Sequence, residues 1–310
     1  MKISIKTLIA SIKILRPIHW TKNLSLYAAL LFSDRLFDIK YFSLVTFAFI
    51  IFSLAASSVY ILNDILDKEK DKNHPIKKNR PIASGNLPIP IAIIELISIV
   101  TITLFLSAQF HFLLIVILIY FAMQIGYSFY LKNIPVIDIL IIAAGFILRV
   151  YAGAFVIDAH LSVWFLLCVI SVALFLAAGK RRAELGALGT SGITRKSLSK
   201  YSPELLNAYV AMFGNAAWMS WSLFTFYESP SASKSFWMFF AELSKAITFN
   251  KTLMITIPFV IFSIMRYQSL IFEGRAETPE KLLLTDKALI ISVAIWVFLV
   301  TSILYGGITL

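Results

Sequence analysis

About nine stretches of roughly twenty mostly apolar residues recur along this 310-residue chain, and they constrain its fold more than any other feature. A helix of about 20 apolar residues is what the hydrocarbon core of a bilayer requires. In agreement, 59% of the residues are hydrophobic and only 15% are charged, far outside the globular range. The sequence therefore predicts an all-α, polytopic membrane protein with one transmembrane domain over 1–310. The windows are 20–36, 42–63, 88–108, 111–131, 135–157, 161–179, 204–227, 252–272 and 287–305.

Basic residues are distributed unevenly between the two sides of this nine-span arrangement. Of the 28 Lys and Arg, 22 lie in the N-terminus and in the loops that follow even-numbered spans, whereas five lie on the other side. Because basic loops are retained in the cytoplasm, the side rich in Lys and Arg is predicted to be cytoplasmic. The same distribution accounts for most of the net charge of +11, so nucleic-acid binding is not needed to explain it.

Cysteine and histidine usage excludes several kinds of chemistry. The single cysteine, Cys168, allows no disulfide framework and no cysteine-based metal site. The four histidines show no HExxH or comparable ligand spacing, which excludes the common zinc chemistries.

The N-terminal segment 1–17 is too polar to span a bilayer. Its apolar residues, such as Ile5, Ile9 and Ile12, recur at helical spacing with lysines between them. This pattern is typical of an amphipathic helix that lies in the membrane interface. No small-residue cleavage site follows, so we do not interpret the segment as a signal peptide.

The most informative stretch is NDILDKEKD at 63–71, where the second span meets the predicted cytoplasm. On a continuous helix turning about 100° per residue, Asp64, Asp67 and Asp71 would lie within about 60° of one another. Carboxylates this close repel unless a divalent cation lies among them, and such oxygen ligands suit Mg²⁺. The alternative is a solvated helix in which the aspartates pair with neighbouring lysines.

The stretch resembles the NDxxDxxxD signature of the UbiA superfamily of intramembrane prenyltransferases. The resemblance implies a nine-helix bundle that opens to the cytoplasm. It also implies that Asn63, Asp64, Asp67 and Asp71 hold Mg²⁺ and a diphosphate leaving group, with the three aspartates as the catalytic residues. The loop at 64–87 would then be catalytic.

The second predicted catalytic loop, 180–203, departs from the aromatic prenyltransferases of the superfamily. Where those enzymes carry a second Asp-rich motif, this chain reads GKRRAEL at 179–185. Basic residues in place of acidic ones mean fewer carboxylate ligands for a second metal ion and more cationic groups that could bind another phosphate. The alternative is that Lys180 and Glu184 form an ordinary ion pair along a helix.

Further segments make the resemblance more specific. Together they resemble the decaprenyl-phosphate phosphoribosyltransferase branch of the superfamily from end to end. That branch joins 5-phosphoribosyl diphosphate to a polyprenyl phosphate and releases pyrophosphate. The segments are 16–23, 74–85, 127–128 with 131–132, Asp138, 145–149, 179–185, 266–267, and 279–283 with Asp286.

Two phosphate-bearing substrates would need several cationic groups around the metal. Arg149 lies inside the fifth span, where a charge is costly and indicates function, so we expect a substrate phosphate or an acidic side chain as its partner. An arginine that merely pairs within the bundle is the alternative. The expected partners are a lipid phosphate, a sugar diphosphate and membrane lipid, in the inner membrane of a bacterial-type cell, and the oligomeric state is left open. The predicted substrate-binding residues are Lys22, Asn63, Lys77, Arg80, Tyr127, Lys132, Arg149, Lys180, Arg181, Arg182 and Glu184.

Two other functions are compatible with the sequence. One is an aromatic prenyltransferase that joins a polyprenyl diphosphate to an acceptor resembling 4-hydroxybenzoate, although its second Asp-rich motif is missing here. The other is a non-catalytic transporter or lipid-binding protein, in which the acidic stripe would bind a cation or a lipid headgroup. Metal-dependent release of pyrophosphate distinguishes this last class from both enzymes.

Overall fold

The computed structural model describes residues 5–73, 77–191, 197–228, 249–273, 282 and 285–306. Within these ranges the chain forms helices joined by short loops and contains no strand, which confirms the predicted all-α fold. The α-helices are α1 (Ile5–Ile14), α2 (Tyr27–Phe32), α3 (Ile39–Leu66), α4 (Lys68–Lys72), α5 (Ile89–Ser107), α6 (His111–Phe129), α7 (Ile137–Val156), α8 (Val163–Ser191), α9 (Pro203–Tyr227), α10 (Ile257–Phe272) and α11 (Lys287–Tyr305). The 3₁₀ segments are Pro17–Leu26, Lys77–Asn79, Leu131–Asn133, Leu198–Lys200 and Phe249–Thr256.

Seven helices in the described part of the chain are long and apolar enough to cross a membrane. They are α3, α5, α6, α7, α8 as far as Gly186, α10 together with most of its preceding 3₁₀ segment, and α11. The window at 204–227 also forms a long helix, α9, but α9 is less apolar than the seven. The exact number of nine crossings stays a prediction.

The first apolar window, 20–36, does not form one continuous helix. Its residues fall into the 3₁₀ segment Pro17–Leu26, the six-residue α2 and a following turn. Polar residues within the window explain the difference. The side chain of Asn23 is buried and donates a hydrogen bond to Ser53 Oγ at 2.8 Å, which ties the 3₁₀ segment to α3.

Helices α3 and α7 form the centre of the bundle. Of their most apolar windows, 61% and 56% respectively are buried, compared with 11% for α5, whose outer face therefore points to lipid. Small residues on α3, including Ala55, Ala56 and Ser57, are fully or almost fully buried. Such residues allow helix backbones to approach closely, as is usual where helices pack within membranes.

Gly153 on α7 sets the position of the 3₁₀ segment. A Cβ atom at this residue would overlap the carbonyl oxygen of Leu26 and lie 2.8 Å from its carbonyl carbon. Only glycine therefore lets the backbone of Pro17–Leu26 lie directly against α7. This contact holds the 3₁₀ segment in the core of the bundle.

Helix α1 lies beside one end of α3. Its Ala10 and Ile14 are buried in a cluster with Ile61 of α3 and with Ile82 and Leu87 from the loop before α5. The remaining apolar side chains of α1 are exposed, as the amphipathic pattern predicts. The helix itself is confirmed, and its place in the membrane interface stays a prediction.

Candidate active site

The acidic motif lies where α3 gives way to α4. The helix is interrupted at Asp67, whose φ of −95° and ψ of 10° end α3. Two hydrogen bonds nevertheless keep a helical path across the interruption. Asp67 N donates to Asn63 O at 2.9 Å, and Asp71 N donates to Asp67 O at 2.8 Å. Asp64 and Asp71 therefore remain on one face of the chain.

Arg80 joins the first and last aspartates of the motif. Its Nη1 atom lies 3.1 Å from Asp64 Oδ1 and 2.6 Å from Asp71 Oδ2. Both carboxylates are buried, with side chains 1% and 5% exposed, whereas that of Arg80 is 27% exposed. Asp64 and Asp71 are thus close enough to share a single cationic group. We call them the acidic pair.

Arg16 is a second cation at the acidic pair and was not among the residues predicted for the site. Its Nη2 atom forms an ion pair with Asp64 Oδ1, and its guanidinium carbon lies 4.9 Å from the centre of the Tyr60 ring. The backbone of Arg16 is left-handed, with φ 53° and ψ 60°, although Pro17 follows it. This conformation is rare for a residue before proline and is strained.

Asp67 has different partners. Lys132 Nζ lies 3.7 Å from Asp67 Oδ2, and Lys70 Nζ lies 3.7 Å from Asp67 Oδ1. Lys132 comes from the 3₁₀ turn between α6 and α7, so the bundle brings a residue 65 positions away to the motif. Among the described residues, no three Asp, Glu, His or Cys side chains converge as a metal-binding group. Asp67 is therefore near the acidic pair in sequence but paired separately.

The acidic pair has the chemistry that a divalent metal ion requires. Asp64 Oδ2 is buried, and no residue in the described ranges donates a hydrogen bond to it. A buried carboxylate oxygen without a donor is costly and calls for a cation or a water. Hard oxygen ligands from carboxylates suit Mg²⁺. Asp64 and Asp71 therefore fit the metal role that the sequence predicts for them.

Arg181 is fully buried and lies in a second cluster of charged and polar side chains. Its Nε atom is 3.3 Å from Asp138 Oδ2 on α7, its Nη1 pairs with Glu184, and its Nη2 donates to the Tyr127 hydroxyl at 3.3 Å. The Tyr201 hydroxyl donates to Asp138 Oδ1 at 2.7 Å. Burial, together with the neighbouring Asp138 carboxylate, raises the pKa of Tyr201 above its ordinary value. These contacts give Arg181 a positioning geometry rather than an open phosphate-binding one.

The other predicted substrate-binding residues make different contacts. Arg182 Nε donates to Asn207 Oδ1 at 2.6 Å, and its guanidinium lies over the ring of Phe272, so it faces α9 and α10. The structure does not place Arg182 at the acidic pair. Four further predicted residues are half-buried, and their contacts to a substrate stay a prediction: Lys22, Asn63, Lys77 and Lys180.

Arg149 is buried inside α7, as its position within the fifth window predicts. Its Nε donates to Asn23 Oδ1 at 2.6 Å, and its Nη1 donates to Gly145 O at 2.5 Å. The Phe52 and Tyr120 rings lie 5.0 and 5.4 Å from its guanidinium. Within the described ranges no acidic side chain forms an ion pair with Arg149, so the expected acidic partner is not found there.

Comparison with known proteins agrees with this architecture. The sequence model of the UbiA prenyltransferase family matches residues 24–180, which is just over half of the chain. The chain belongs to the UbiA prenyltransferase family. Its UbiA relatives include a decaprenyl-phosphate phosphoribosyltransferase from Corynebacterium glutamicum, 36% identical over 95% of this chain and 86% of that protein. A second decaprenyl-phosphate phosphoribosyltransferase, from Mycolicibacterium smegmatis, is 35% identical over 95% of this chain and 92% of that protein.

Solved UbiA structures share the fold. A UbiA homologue from Archaeoglobus fulgidus bound to DMAPP and Mg²⁺ superposes with a TM-score of 0.68 at 15% identity, covering 95% of this chain and 98% of that one. The same homologue bound to GPP and Mg²⁺ superposes with a TM-score of 0.67 at 16% identity, covering 95% of this chain and 99% of that one. The predicted UbiA-like bundle is therefore confirmed. Of the segments that carried the resemblance, 74–76, 279–281 and residue 283 lie outside the described residues.

Proposed function

We propose that this UbiA-family chain transfers 5-phosphoribose from 5-phosphoribosyl diphosphate to a polyprenyl phosphate of the decaprenyl type and releases pyrophosphate. The relatives named decaprenyl-phosphate phosphoribosyltransferase match nearly the whole chain, which supports the same reaction here. The structural observation that carries the proposal is the acidic pair, Asp64 and Asp71, with the guanidinium groups of Arg16 and Arg80 on it.

The acidic pair and its cations suit a diphosphate leaving group. Asp64 and Asp71 would hold Mg²⁺, with Asn63 and Asp67 as further ligands, and bound Mg²⁺ would neutralise charge on the departing pyrophosphate. The side chains of Arg16 and Arg80 are partly exposed, so their guanidinium groups would bind phosphate oxygens beside the pair. Such preorganised charges stabilise the negative charge that develops as the bond from C1 of the ribose breaks.

The acceptor needs little activation. A lipid phosphate is already anionic at neutral pH, so its oxygen attacks C1 without a strong general base. Attack from the face opposite the departing pyrophosphate inverts the configuration at C1. The isoprenoid tail would lie against the apolar outer surface or grooves of the bundle, in contact with membrane lipid.

The orientation of the site follows from its charge. Arg16, Arg80 and Lys132 all lie at the acidic motif. Because basic residues are retained in the cytoplasm, we assign this end of the multi-pass bundle to the cytoplasmic side of a bacterial-type inner membrane.

The second cluster argues against an aromatic prenyltransferase. In that class, acidic residues after the sixth span would supply a second set of metal ligands. Here Arg181 occupies this region, and it already neutralises Asp138 and Glu184. A second metal ion would have to displace a buried guanidinium.

Two parallel reactions test the proposal. Purified protein is incubated with Mg²⁺, decaprenyl phosphate and 5-phosphoribosyl diphosphate, and separately with Mg²⁺, a prenyl diphosphate and 4-hydroxybenzoate. We expect lipid-linked product and pyrophosphate only in the first reaction. Product only in the second would establish an aromatic prenyltransferase, and pyrophosphate in neither would favour a non-catalytic membrane protein.

A further inference from the structure

The turn between α6 and α7, residues 130–136, carries Lys132 to Asp67 and ends in strained backbone. Val136 has φ 70° and ψ −49°, close to the rare γ-turn conformation with positive φ. Positive φ is especially unfavourable for a β-branched residue. Strain of this kind persists only where the surrounding structure holds it. The contacts that hold Val136 therefore also decide where the turn directs Lys132.

Tyr201, which precedes α9, makes a side-chain contact that holds Val136. Its hydroxyl accepts a hydrogen bond from Val136 N at 2.5 Å. The same hydroxyl donates to Asp138 Oδ1 at 2.7 Å. A tyrosine hydroxyl has one hydrogen to donate and lone pairs to accept, so these two bonds are compatible and together fix its orientation.

Asp138 is held from its other side as well. Ser197 Oγ donates to Asp138 Oδ2 at 3.3 Å, and Arg181 Nε lies 3.3 Å from the same oxygen. Arg181 in turn donates to the hydroxyl of Tyr127, in the last turn of α6. The network therefore contacts the chain at Tyr127, just before the turn, and at Val136, the last residue of the turn.

We infer that Tyr201 and Asp138 are positioning residues for Lys132. They fix the turn so that Lys132 Nζ stays 3.7 Å from Asp67, at the acidic motif. Lys132 is 21% exposed, so its ammonium group can reach both the carboxylate and a phosphate of the sugar diphosphate. The identity of that phosphate rests on the proposed function, whereas the positioning of Lys132 does not.

Lysine accessibility tests the positioning directly. Tyr201→Phe keeps the buried ring and removes only the hydroxyl, so it frees Val136 N and the end of the turn. We expect the rate at which acetic anhydride labels Lys132, followed by mass spectrometry, to rise severalfold. Labelling of Lys40, at the end of α3 opposite to Asp67, should not change. An unchanged rate at Lys132 would overturn the inference.

Tyr305→Phe is the matched control. The hydroxyl of Tyr305 is also buried and also holds backbone, since it accepts from Leu36 N at 3.2 Å and donates to Leu31 O at 2.9 Å. This tyrosine contacts the chain before α3, far from the turn. We expect no change in labelling of Lys132, and an equal rise in both variants would mean general loosening and would refute the inference.

A mutant cycle then connects the positioning to catalysis. Tyr201→Phe should raise KM for 5-phosphoribosyl diphosphate more than it lowers kcat. In a Lys132→Gln background the same change should add little, because the residue that Tyr201 positions is already gone. Additive effects would refute action through Lys132. A labelling change without any phosphoribosyl transfer by the wild type would refute the proposed function and leave the positioning intact.

Discussion

Asp138→Asn removes the negative charge from the buried ion pair with Arg181 and leaves the shape of the side chain nearly unchanged. The guanidinium then lacks one of its two carboxylates in a region that excludes water. The amide oxygen of asparagine can still accept from the Tyr201 hydroxyl at the Oδ1 position, whereas the amide nitrogen takes the place of Oδ2, which accepts from Ser197 Oγ. The perturbation therefore removes the charge and one of the two acceptor oxygens at residue 138.

The magnitude follows from burial. Both members of the pair are 0% exposed, and removing one partner of a buried pair costs about 3–5 kcal/mol. Glu184 still pairs with Arg181, so we expect the lower end, about 3 kcal/mol of unfolding free energy. The matched comparison is Asp286→Asn. Its pair with Arg266 is partly solvated, at 29% and 11% exposure, and such pairs contribute about 0–1 kcal/mol.

The assay is unfolding in mixed micelles, applied to the wild type, Asp138→Asn, Arg181→Met and the double variant. The double variant should lose less stability than the sum of the two single losses, because neither charge is then left without its partner. If the stability loss of the double variant equalled the sum of the two single losses, the stabilising contribution of the buried ion pair would be refuted. A loss in Asp138→Asn no larger than that in Asp286→Asn would also refute it.

Two further predictions concern packing and the acidic pair. Gly153→Ala should cost about 1–3 kcal/mol of unfolding free energy through overlap with the Leu26 carbonyl, whereas Gly186→Ala, on an exposed part of α8, should not destabilise the protein. Thermal unfolding measures both. Arg16→Gln should lower kcat/KM for the sugar diphosphate by about tenfold or more, the value of one charge-assisted contact. Lys13→Gln, exposed one turn earlier, should have little effect on these kinetics, and equal losses would contradict a local role for Arg16.

Local patterns in the sequence predict much of this molecule. Long apolar runs predict the spanning helices because length and hydrophobicity alone decide whether a helix can cross a bilayer. Helical spacing correctly predicts that Asp64 and Asp71 share one face, because backbone hydrogen bonds keep a helical path across the interruption at Asp67. The prediction that the first apolar window, 20–36, forms one continuous helix was wrong. Its polar residues, such as Asn23, make contacts with α3 that no apolar window reveals.

Contacts between distant residues could not be predicted in the same way. Arg16 and Asp64 are 48 positions apart and meet only because α1 and the 3₁₀ segment pack beside α3. The signal that could have found Arg16 is a basic residue directly before a proline at the start of a polar segment. Arg149 illustrates the same limit. A charge within a span needs partners, but the bundle supplied a neutral Asn23 where the sequence favoured an acid or a phosphate.

The most direct test of the account compares two substitutions on α3. Asp64→Asn removes a charge from the acidic pair, and Asp38→Asn changes the N-cap at the opposite end of the same helix, where asparagine also caps well. With Mg²⁺, decaprenyl phosphate and 5-phosphoribosyl diphosphate, we predict pyrophosphate release by the wild type and Asp38→Asn, abolished by chelation of the metal, and none by folded Asp64→Asn. Full activity of Asp64→Asn would contradict the claim that the acidic pair is the catalytic centre.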